Sequence, residues 1–396
     1  MYTLVFNSGS SSLKFQIFQQ TGSTTKPFAK GIADAIGLSN SQIRITGQNF
    51  SFNQSTPLSN HQSALQKLLK LLIDKQILKS ISEIQLIGHR VVHGGEKYQQ
   101  AALINAKVIK DIKDLCPLAP LHNPHALTCI QECKKILPKI KQVAVFDTAF
   151  HQTIKPLAFL YALPIELYQK HQIRRYGFHG INHKYVSSEA IKLLSKAKKR
   201  HTNIISCHLG NGCSVTAIKN GKSVETSMGF TPLEGLIMGT RSGDLDPALP
   251  MELSKILKLS PSDINQFLNK KSGLLGLTGI SSDMRTIHQA AQKGNAKAIF
   301  AMDMFSYRLA KYINSYIGVL GGLDALIFTG GIGEYAWYIR SRVLQYLKHL
   351  KVKYNSQKNL HNQLFFESKD SFSSLMIIPA NEELEIVRQS LKLIRS

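Results

Sequence analysis

Apolar residues first recur along this chain with a period of two. Tyr2 to Phe18 alternates on both sides of a small-residue turn: Thr3-Leu-Val-Phe6, then Asn7-Ser-Gly-Ser-Ser-Ser12, then Leu13-Lys-Phe-Gln-Ile-Phe18. The pattern predicts a β-hairpin whose tip is all hydroxyl, amide and glycine. Residues 20–60 are polar and mixed and leave room for further strands. Ser63 to Lys79 (SALQKLLKLLIDKQILK) spaces its apolar positions as a helix does. Ile84 to Val92 reads as a buried strand running into His93-Gly-Gly95. Helical patterns follow at 108–116 and 125–136, and Gln142-Val-Ala-Val-Phe146 is a short apolar strand closing on Asp147.

The second half repeats this grammar. Asn203 to His208 is a strand, Leu209-Gly-Asn-Gly212 a turn, and Cys213 to Ile218 a second strand, with Asn220-Gly221 making another hairpin turn. Helices are predicted at 250–258, 261–270 and 294–320. The strand Ala325-Leu-Ile-Phe-Thr329 then enters the glycine turn Gly330-Gly-Ile-Gly-Glu334. A helix (336–350), a strand (374–379) and a last helix complete the chain. Two α/β halves of similar order imply duplicated domains, 1–150 and 151–381, with helix 382–396 packing back on the first. The boundary falls near 147–155, and a cleft between such domains is the usual place for a ligand.

Composition narrows the class. Of 396 residues, 43% are hydrophobic and 19% charged, which is globular and excludes disorder as the main state. Lys and Arg total 49 against 25 acidic residues, a net charge of +24. Such a balance suits anionic partners: small molecules, a membrane surface or nucleic acid. The basic residues are nevertheless scattered. Their densest cluster, Lys196, Lys198, Lys199 and Arg200, reads as a solvated helix end. A nucleic-acid-binding protein stays as the remote alternative. The five cysteines, at 116, 129, 133, 207 and 213, include no CxxC pair, so neither a disulfide framework nor a zinc ribbon is expected. The first charged residue is Lys14, so no basic region precedes an apolar core as in a signal peptide. The longest apolar stretch, Tyr312 to Ile332, is broken by Asn314, Asp324 and glycines. The expectation is a soluble protein of the reducing cytosol.

Three polar, glycine-bearing turns stand at strand ends. Asn7-Ser-Gly-Ser-Ser-Ser-Leu-Lys14 offers backbone N–H groups, hydroxyls and a lysine charge, the parts of a phosphate cradle, although a solvated hairpin tip looks the same. It is not a Walker A loop, which needs Gly-x-x-x-x-Gly-Lys-Ser/Thr before a helix. His208-Leu-Gly-Asn-Gly212 and Gly330-Gly-Ile-Gly-Glu334 are each plain turn signals alone; three together are harder to dismiss. Arg90 follows a buried strand, Arg241 sits in the glycine-rich 239–247 segment, and Arg285 lies in Ser282-Asp-Met-Arg. Guanidinium forks suit carboxylate and phosphate oxygens, with structural salt bridges as the ordinary alternative. The pairs His89/His93, His122/His125 and His179/His183 invite a metal. His89-x-x-x-His93, however, has Arg90 where a zinc protease needs Glu. Asp244 and Asp246 suit either magnesium or a turn before Pro247.

Read in order, ten segments resemble the acetate kinase family, within the acetate and propionate kinase group. They are NSGSSSLKF (7–15), GHRVVHGGEKY (88–98), APLHNP (119–124), FDTAFHQT (146–153), RRYGFHG (174–180), HLGNGCS (208–214), SMGFTPLEGLIMGTRSGDLDP (227–247), DMR (283–285), GGIGE (330–334) and NEEL (381–384). The resemblance covers essentially the whole chain. It implies two duplicated actin/hexokinase/Hsp70-like (ribonuclease H-like) α/β domains with an interdomain cleft. It also implies reversible phosphoryl transfer from ATP to acetate, giving acetyl phosphate and ADP, with Mg²⁺ or alternatively Mn²⁺. Propionate kinase is the alternative within the family. A cytoplasmic homodimer is implied, its interface in the C-terminal domain, with no membrane and no specific nucleic acid as partners.

By the same resemblance, Arg90 and Arg241 grip the carboxylate and the migrating phosphoryl oxygens, and His179 stabilises the transition state with help from His122. Asp147 matches the family's essential acidic residue. A carboxylic acid with pKa ~4.3 is already ionised at pH 7, so a positioning or metal-linked role suits Asp147 better than proton transfer. Asn7 and Glu382 match metal positions. Val92, Leu121, Phe178 and Pro232 match the pocket for the acyl methyl group. Lys14, His208, Leu209, Gly210, Asn211, Gly212, Asp283, Met284, Arg285, Gly331, Ile332, Gly333, Glu334 and Tyr335 match nucleotide-binding positions. Tyr335 stands where the family usually has Asn, at the edge of the expected adenine site.

Overall fold

The computed structural model describes residues 1–22, 24–120, 122–196 and 203–395; Leu121 and the Lys198-Lys199-Arg200 cluster lie outside the described residues. The chain folds into two compact units, Met1–Phe150 with Asn381–Ser396, and His151–Ala380. Unit 1 holds β1 (Tyr2–Ser8), β2 (Leu13–Thr21), β3 (Thr24–Asp34), β4 (Gln42–Gly47), β5 (Ser51–Ser55), β6 (Ile84–Val91), β7 (Ala102–Leu103) and β8 (Lys141–Phe146). They form one eight-stranded sheet in the order β5-β4-β3-β2-β1-β6-β8-β7. Unit 2 holds β9 (Asn203–Leu209), β10 (Cys213–Lys219), β11 (Lys222–Thr226), β12 (Ala325–Thr329) and β13 (Ser374–Ile377), ordered β11-β10-β9-β12-β13.

The second order repeats the middle of the first, β3-β2-β1-β6-β8, strand for strand. In each, two antiparallel pairings lead to two parallel ones. The parallel strands are covered on both faces, which is why Val143 to Phe146 and Ala325 to Phe328 are unbroken apolar runs. The last helices are exchanged. After β8, the helix Gly180–Lys196 packs on β9 and β12; after β13, the helix Glu382–Arg395 packs on β6, β1 and β8. Gly88 of β6 makes the second docking possible, since a Cβ there would stand 2.5 Å from Ile386 Cγ2.

Several elements differ from the sequence pattern. The first helix spans His61–Asp74: Asn60 and Ser63 close a capping box ahead of the first apolar position. It ends early because Gln76 turns left-handed, at φ 54°. Strands occupy most of 24–55. Asn220 and Gly221 both have positive φ, 52° and 74°, the signature of the tight turn that joins β10 to β11. The segment read as a glycine turn at 330–334 is instead a short helix, Gly330–Tyr335. Gly330 alone takes the left-handed corner, φ 76°, where a Cβ would lie 2.8 Å from Leu209 O. The helix Met284–Gln292 went unread because its sequence, MRTIHQAAQ, is short and largely polar. All five cysteines are free. Among the described residues no helix is long and apolar enough to cross a membrane.

Three buried histidines make folding sensitive to mild acid. Burial pushes His93 and His151 down to about 4, and His183 well below its ordinary 6.5. Between those values an unfolded chain binds protons that the folded chain refuses, so stability falls as pH drops from about 6.5 toward 4. Each histidine contributes up to about 1.4 kcal/mol per pH unit in that window. His151 and His183 belong to unit 2, as does Trp337, the single tryptophan. The urea midpoint followed by Trp337 fluorescence is expected to fall steadily between pH 7.5 and 5.5. A level midpoint would mean that these imidazoles take up protons inside the folded unit.

Candidate active site

In unit 1 the parallel strands β6 and β8 end side by side and place Arg90 against Asp147. Arg90 Nε donates to Asp147 Oδ1 at 3.2 Å and Nη2 to Oδ2 at 2.7 Å, while Nη1 lies 3.2 Å from Glu382 Oε2 at the start of the last helix. Asp147 is 1% exposed and Arg90 18%. Burial alone would weaken the arginine's charge, but the two carboxylates outweigh it and hold the guanidinium above its ordinary pKa. Burial also raises Asp147 and Glu382 against the pull of Arg90. His122, half-buried at the start of the helix Asn123–Ile136, acts electrostatically on Asp147, and Lys14 on Glu382. Asn7 pairs with Lys14 across the β1–β2 hairpin. That hairpin's tip is held by Gly9 N–H on Ser12 O (2.8 Å) and by His61 Nε2 against Gly9 O (2.8 Å), a contact the sequence did not announce.

In unit 2 the other charged group stands in the 239–247 loop beyond β11, not on the equivalent hairpin β9–β10. Arg241 is half-buried, donates from Nη1 to Pro232 O at 2.9 Å, and pairs with no carboxylate among the described residues. Burial pulls its pKa below the ordinary value. A desolvated cation without a counter-ion is costly unless an anion arrives to pair with it. His179 stands nearby: a Cβ on Gly212 would lie 3.4 Å from His179 Nε2 and 3.6 Å from Arg241 Nη1, so both side chains flank one small space. Only glycine leaves that space open. His179 stacks on His208, with ring centroids 4.1 Å apart. The Arg241 loop is stapled by Asp244, which accepts from Gly235 N–H (2.7 Å) and Tyr312 O–H (2.7 Å). Asp246 accepts from Ala248 N–H (2.8 Å). Both aspartates therefore serve turns.

Beside this space, unit 2 opens a cavity of about 930 Å³. It brings together Gly210, Asn211, Asp283, Met284, Arg285, Gly331, Ile332 and Tyr335 from three separate segments. Leu209 and Gly333 are buried instead, and Glu334 caps its own neighbourhood, accepting from Gly330 N–H (3.1 Å) and Ala380 N–H (2.9 Å). These three shape the strand-to-helix corner rather than line the cavity. Sequence reasoning missed His288, which lies flat on Tyr338 at 3.5 Å, and Gln289 and Gln292. The spacing 285, 288, 289, 292 is one helical face, so a helix read at 284–292 would have found them. It also missed Arg340, buried among Gly333 O (2.7 Å), Glu334 O (3.0 Å) and Asn359, which ties down the carbonyl end of helix Gly330–Tyr335.

Of the residues matched to an acyl pocket, Val92 follows β6 in unit 1, while Phe178 is buried and Pro232 half-buried in unit 2. Lys14 is exposed in unit 1, whereas the other nucleotide-matched positions belong to unit 2. Among the described residues no group of three or more His, Cys, Asp or Glu side chains could cage a metal ion. His89 Nε2 is paired with Gln142 Oε1 at 2.8 Å.

The Acetokinase family model matches residues 2–388. Acetate kinase of Acetivibrio thermocellus is 48% identical over 403 residues, covering 100% of both chains. The crystal structure of Porphyromonas gingivalis acetate kinase superposes with a TM-score of 0.93 at 39% identity, covering 99% of each chain. That of a propionate kinase from Francisella tularensis gives 0.93 at 43% identity and the same coverage. The duplicated sheet order and the match along almost every residue make this chain a member of the acetokinase family.

Proposed function

We propose that this protein transfers the terminal phosphoryl group of ATP reversibly to acetate, giving acetyl phosphate and ADP. The observation that carries the reading is Arg241, a guanidinium with burial cost and no carboxylate, facing the same space as His179. Two anions must meet in this reaction, and the chief obstacle is their charge. A donor pair set in advance where phosphoryl charge develops lowers that barrier without reorganisation. Acetate arrives ionised, so no base is needed. Arg90 works differently: its partners fix the plane of the fork, and each terminal nitrogen keeps a second N–H for a reactant oxygen. The cavity of unit 2 is the place for the nucleotide, with Gly331 free of any neighbour that would stop close approach.

The donor set fits magnesium. Asn7 and Glu382 offer oxygen, Ser8 Oγ is buried without a partner, and the described residues make no cage. Mg²⁺ takes one or two protein oxygens and otherwise water and phosphate. When bound, the ion would neutralise phosphate charge; Asn7 and Glu382 are the residues to hold it.

The likeness to a propionate kinase supports a second substrate. Trapping acyl phosphate as hydroxamate from acetate, propionate and butyrate, with ATP or GTP, tests both readings. Acetate with ATP should give the highest kcat/KM, with propionate lower by ~10–200-fold, the worth of one methylene. No hydroxamate from any acid would refute phosphoryl transfer to a carboxylate, and a propionate optimum would select the second substrate. Arg241→Lys keeps a charge but loses the fork, so kcat should fall by about 10²-fold or more with the circular dichroism spectrum unchanged. Near-normal turnover would remove Arg241 from the transition state.

Unit 2 also supports the homodimer. The helix Leu249–Leu257 has no buried residue, and Met251 and Ile256 are 66% and 67% exposed. A second copy would cover this apolar face. Light scattering should give twice the chain mass, and Ile256→Lys should halve it; a wild-type monomer would contradict the assignment.

A further inference from the structure

His179 is joined to a buried chain of hydrogen bonds that neither the nucleotide nor the acid needs for binding. Its Nδ1 lies 3.0 Å from Ser214 Oγ, and the same oxygen lies 2.7 Å from His183 Nε2. His183 Nδ1 in turn lies 3.0 Å from Ser206 Oγ. His183, Ser206 and Ser214 are fully buried, and the two histidines sit one helical turn apart, with His183 N–H bonded to His179 O at 3.0 Å. His179 also holds a left-handed backbone, φ 55°, which a residue with a Cβ adopts only when its surroundings enforce it. Strain at this position marks the imidazole's direction as something the fold maintains.

A serine hydroxyl carries one proton. Set between two imidazole nitrogens, it donates to one and accepts from the other, so one facing nitrogen bears hydrogen and the other does not. His183 is kept neutral by burial and has a single proton to place. The tautomers of the two rings are therefore linked.

We propose that His183 is a positioning residue that sets the tautomer of His179 through Ser214. His183 Nε2–H donates to Ser214 Oγ, Ser214 O–H donates to His179 Nδ1, and Ser206 O–H donates to His183 Nδ1. The proton of His179 is then on Nε2, the atom that shares the space beside Gly212 with Arg241. The opposite arrangement would aim a lone pair at that space, where phosphoryl oxygens would be repelled. The choice of direction rests on the phosphoryl-transfer reading; the linkage itself does not. Stacking on His208 at 24° between planes holds the ring's tilt, while Ser214 fixes which nitrogen donates. No proton leaves the ring during transfer.

Histidine ¹⁵N shifts of the labelled full chain at pH 7.5 test this, with His179→Gln to assign the signal. Both His179 and His183 should appear as Nε2–H tautomers. In Ser214→Ala the two His179 nitrogens should move toward averaged values, and kcat should drop by about 10- to 100-fold while both KM values hold within about threefold. Ser214→Thr, which returns the hydroxyl, should restore both. Wild-type His179 protonated on Nδ1, or Ser214→Ala with unchanged shifts and kcat, overturns the proposal. If Ser214→Ala does not fold, Ser206→Ala frees the far end of the chain and must move the shifts of both rings; unmoved shifts overturn it equally. Shifts that behave as stated in a protein that makes no acyl phosphate would keep the linkage and reject the activity.

Discussion

A half-buried positive charge with no carboxylate beside it among the described residues is the constraint on which the rest of this molecule turns. Arg241 is such a charge, and burial pulls its pKa below the ordinary value. Its segment is bonded on every side: Met238 N–H to Arg241 O, Gly239 N–H to Asn211 O, and Ser272 N–H to Thr240 O. The cost of keeping it buried is met by the core of unit 2. In the proposed function, affinity for an anion would recover that cost.

Arg90 shows the opposite treatment. It lies near the end of β6, and two carboxylates, Asp147 and Glu382, face its guanidinium. Parallel neighbours in a sheet end together, so whatever stands at their carboxyl ends converges: β6 beside β8 in unit 1, β9 beside β12 in unit 2. The hairpins β1–β2 and β9–β10 then bring polar tips to the same edge of each sheet. The edge in unit 1 carries the ion-pair cluster of Arg90, Asp147 and Glu382.

The sequence told much of this. Period-two alternation located β1 and β2, and short apolar runs located β6, β8, β9, β10 and β12, because strands buried on both faces leave little freedom of composition. Hairpin tips were legible through Asn, Gly and Ser. Arginine partners were not, since an isolated Arg in a loop reads the same whether Asp147 waits beside it or nothing does. The helix Gly330–Tyr335 was misread because GGIGE has the composition of a turn; only the packing of Gly330 on Leu209 shows where the corner ends and winding begins. His183 and Ser214 could not be weighed as a pair, for they lie on a helix and a strand that meet only after folding. The helix Glu382–Arg395 belongs to unit 1 and Gly180–Lys196 to unit 2, pairings made by packing between segments distant in the chain.

The geometry of Asp147 also bears on how a carboxylate can act in such a site. Both of its oxygens already receive N–H groups from Arg90, at 3.2, 3.3 and 2.7 Å, and it is sealed from solvent. A general base must offer a lone pair to the proton it removes. Here the lone pairs are turned toward the guanidinium, and burial and Arg90 pull the pKa in opposite directions. The proposed acceptor brings no proton to remove. What the carboxylate does control is the plane in which Arg90 presents its remaining N–H groups, and rotating that plane would misdirect both at once. In the proposed transfer Asp147 would act through orientation, as Ser214 would through His179.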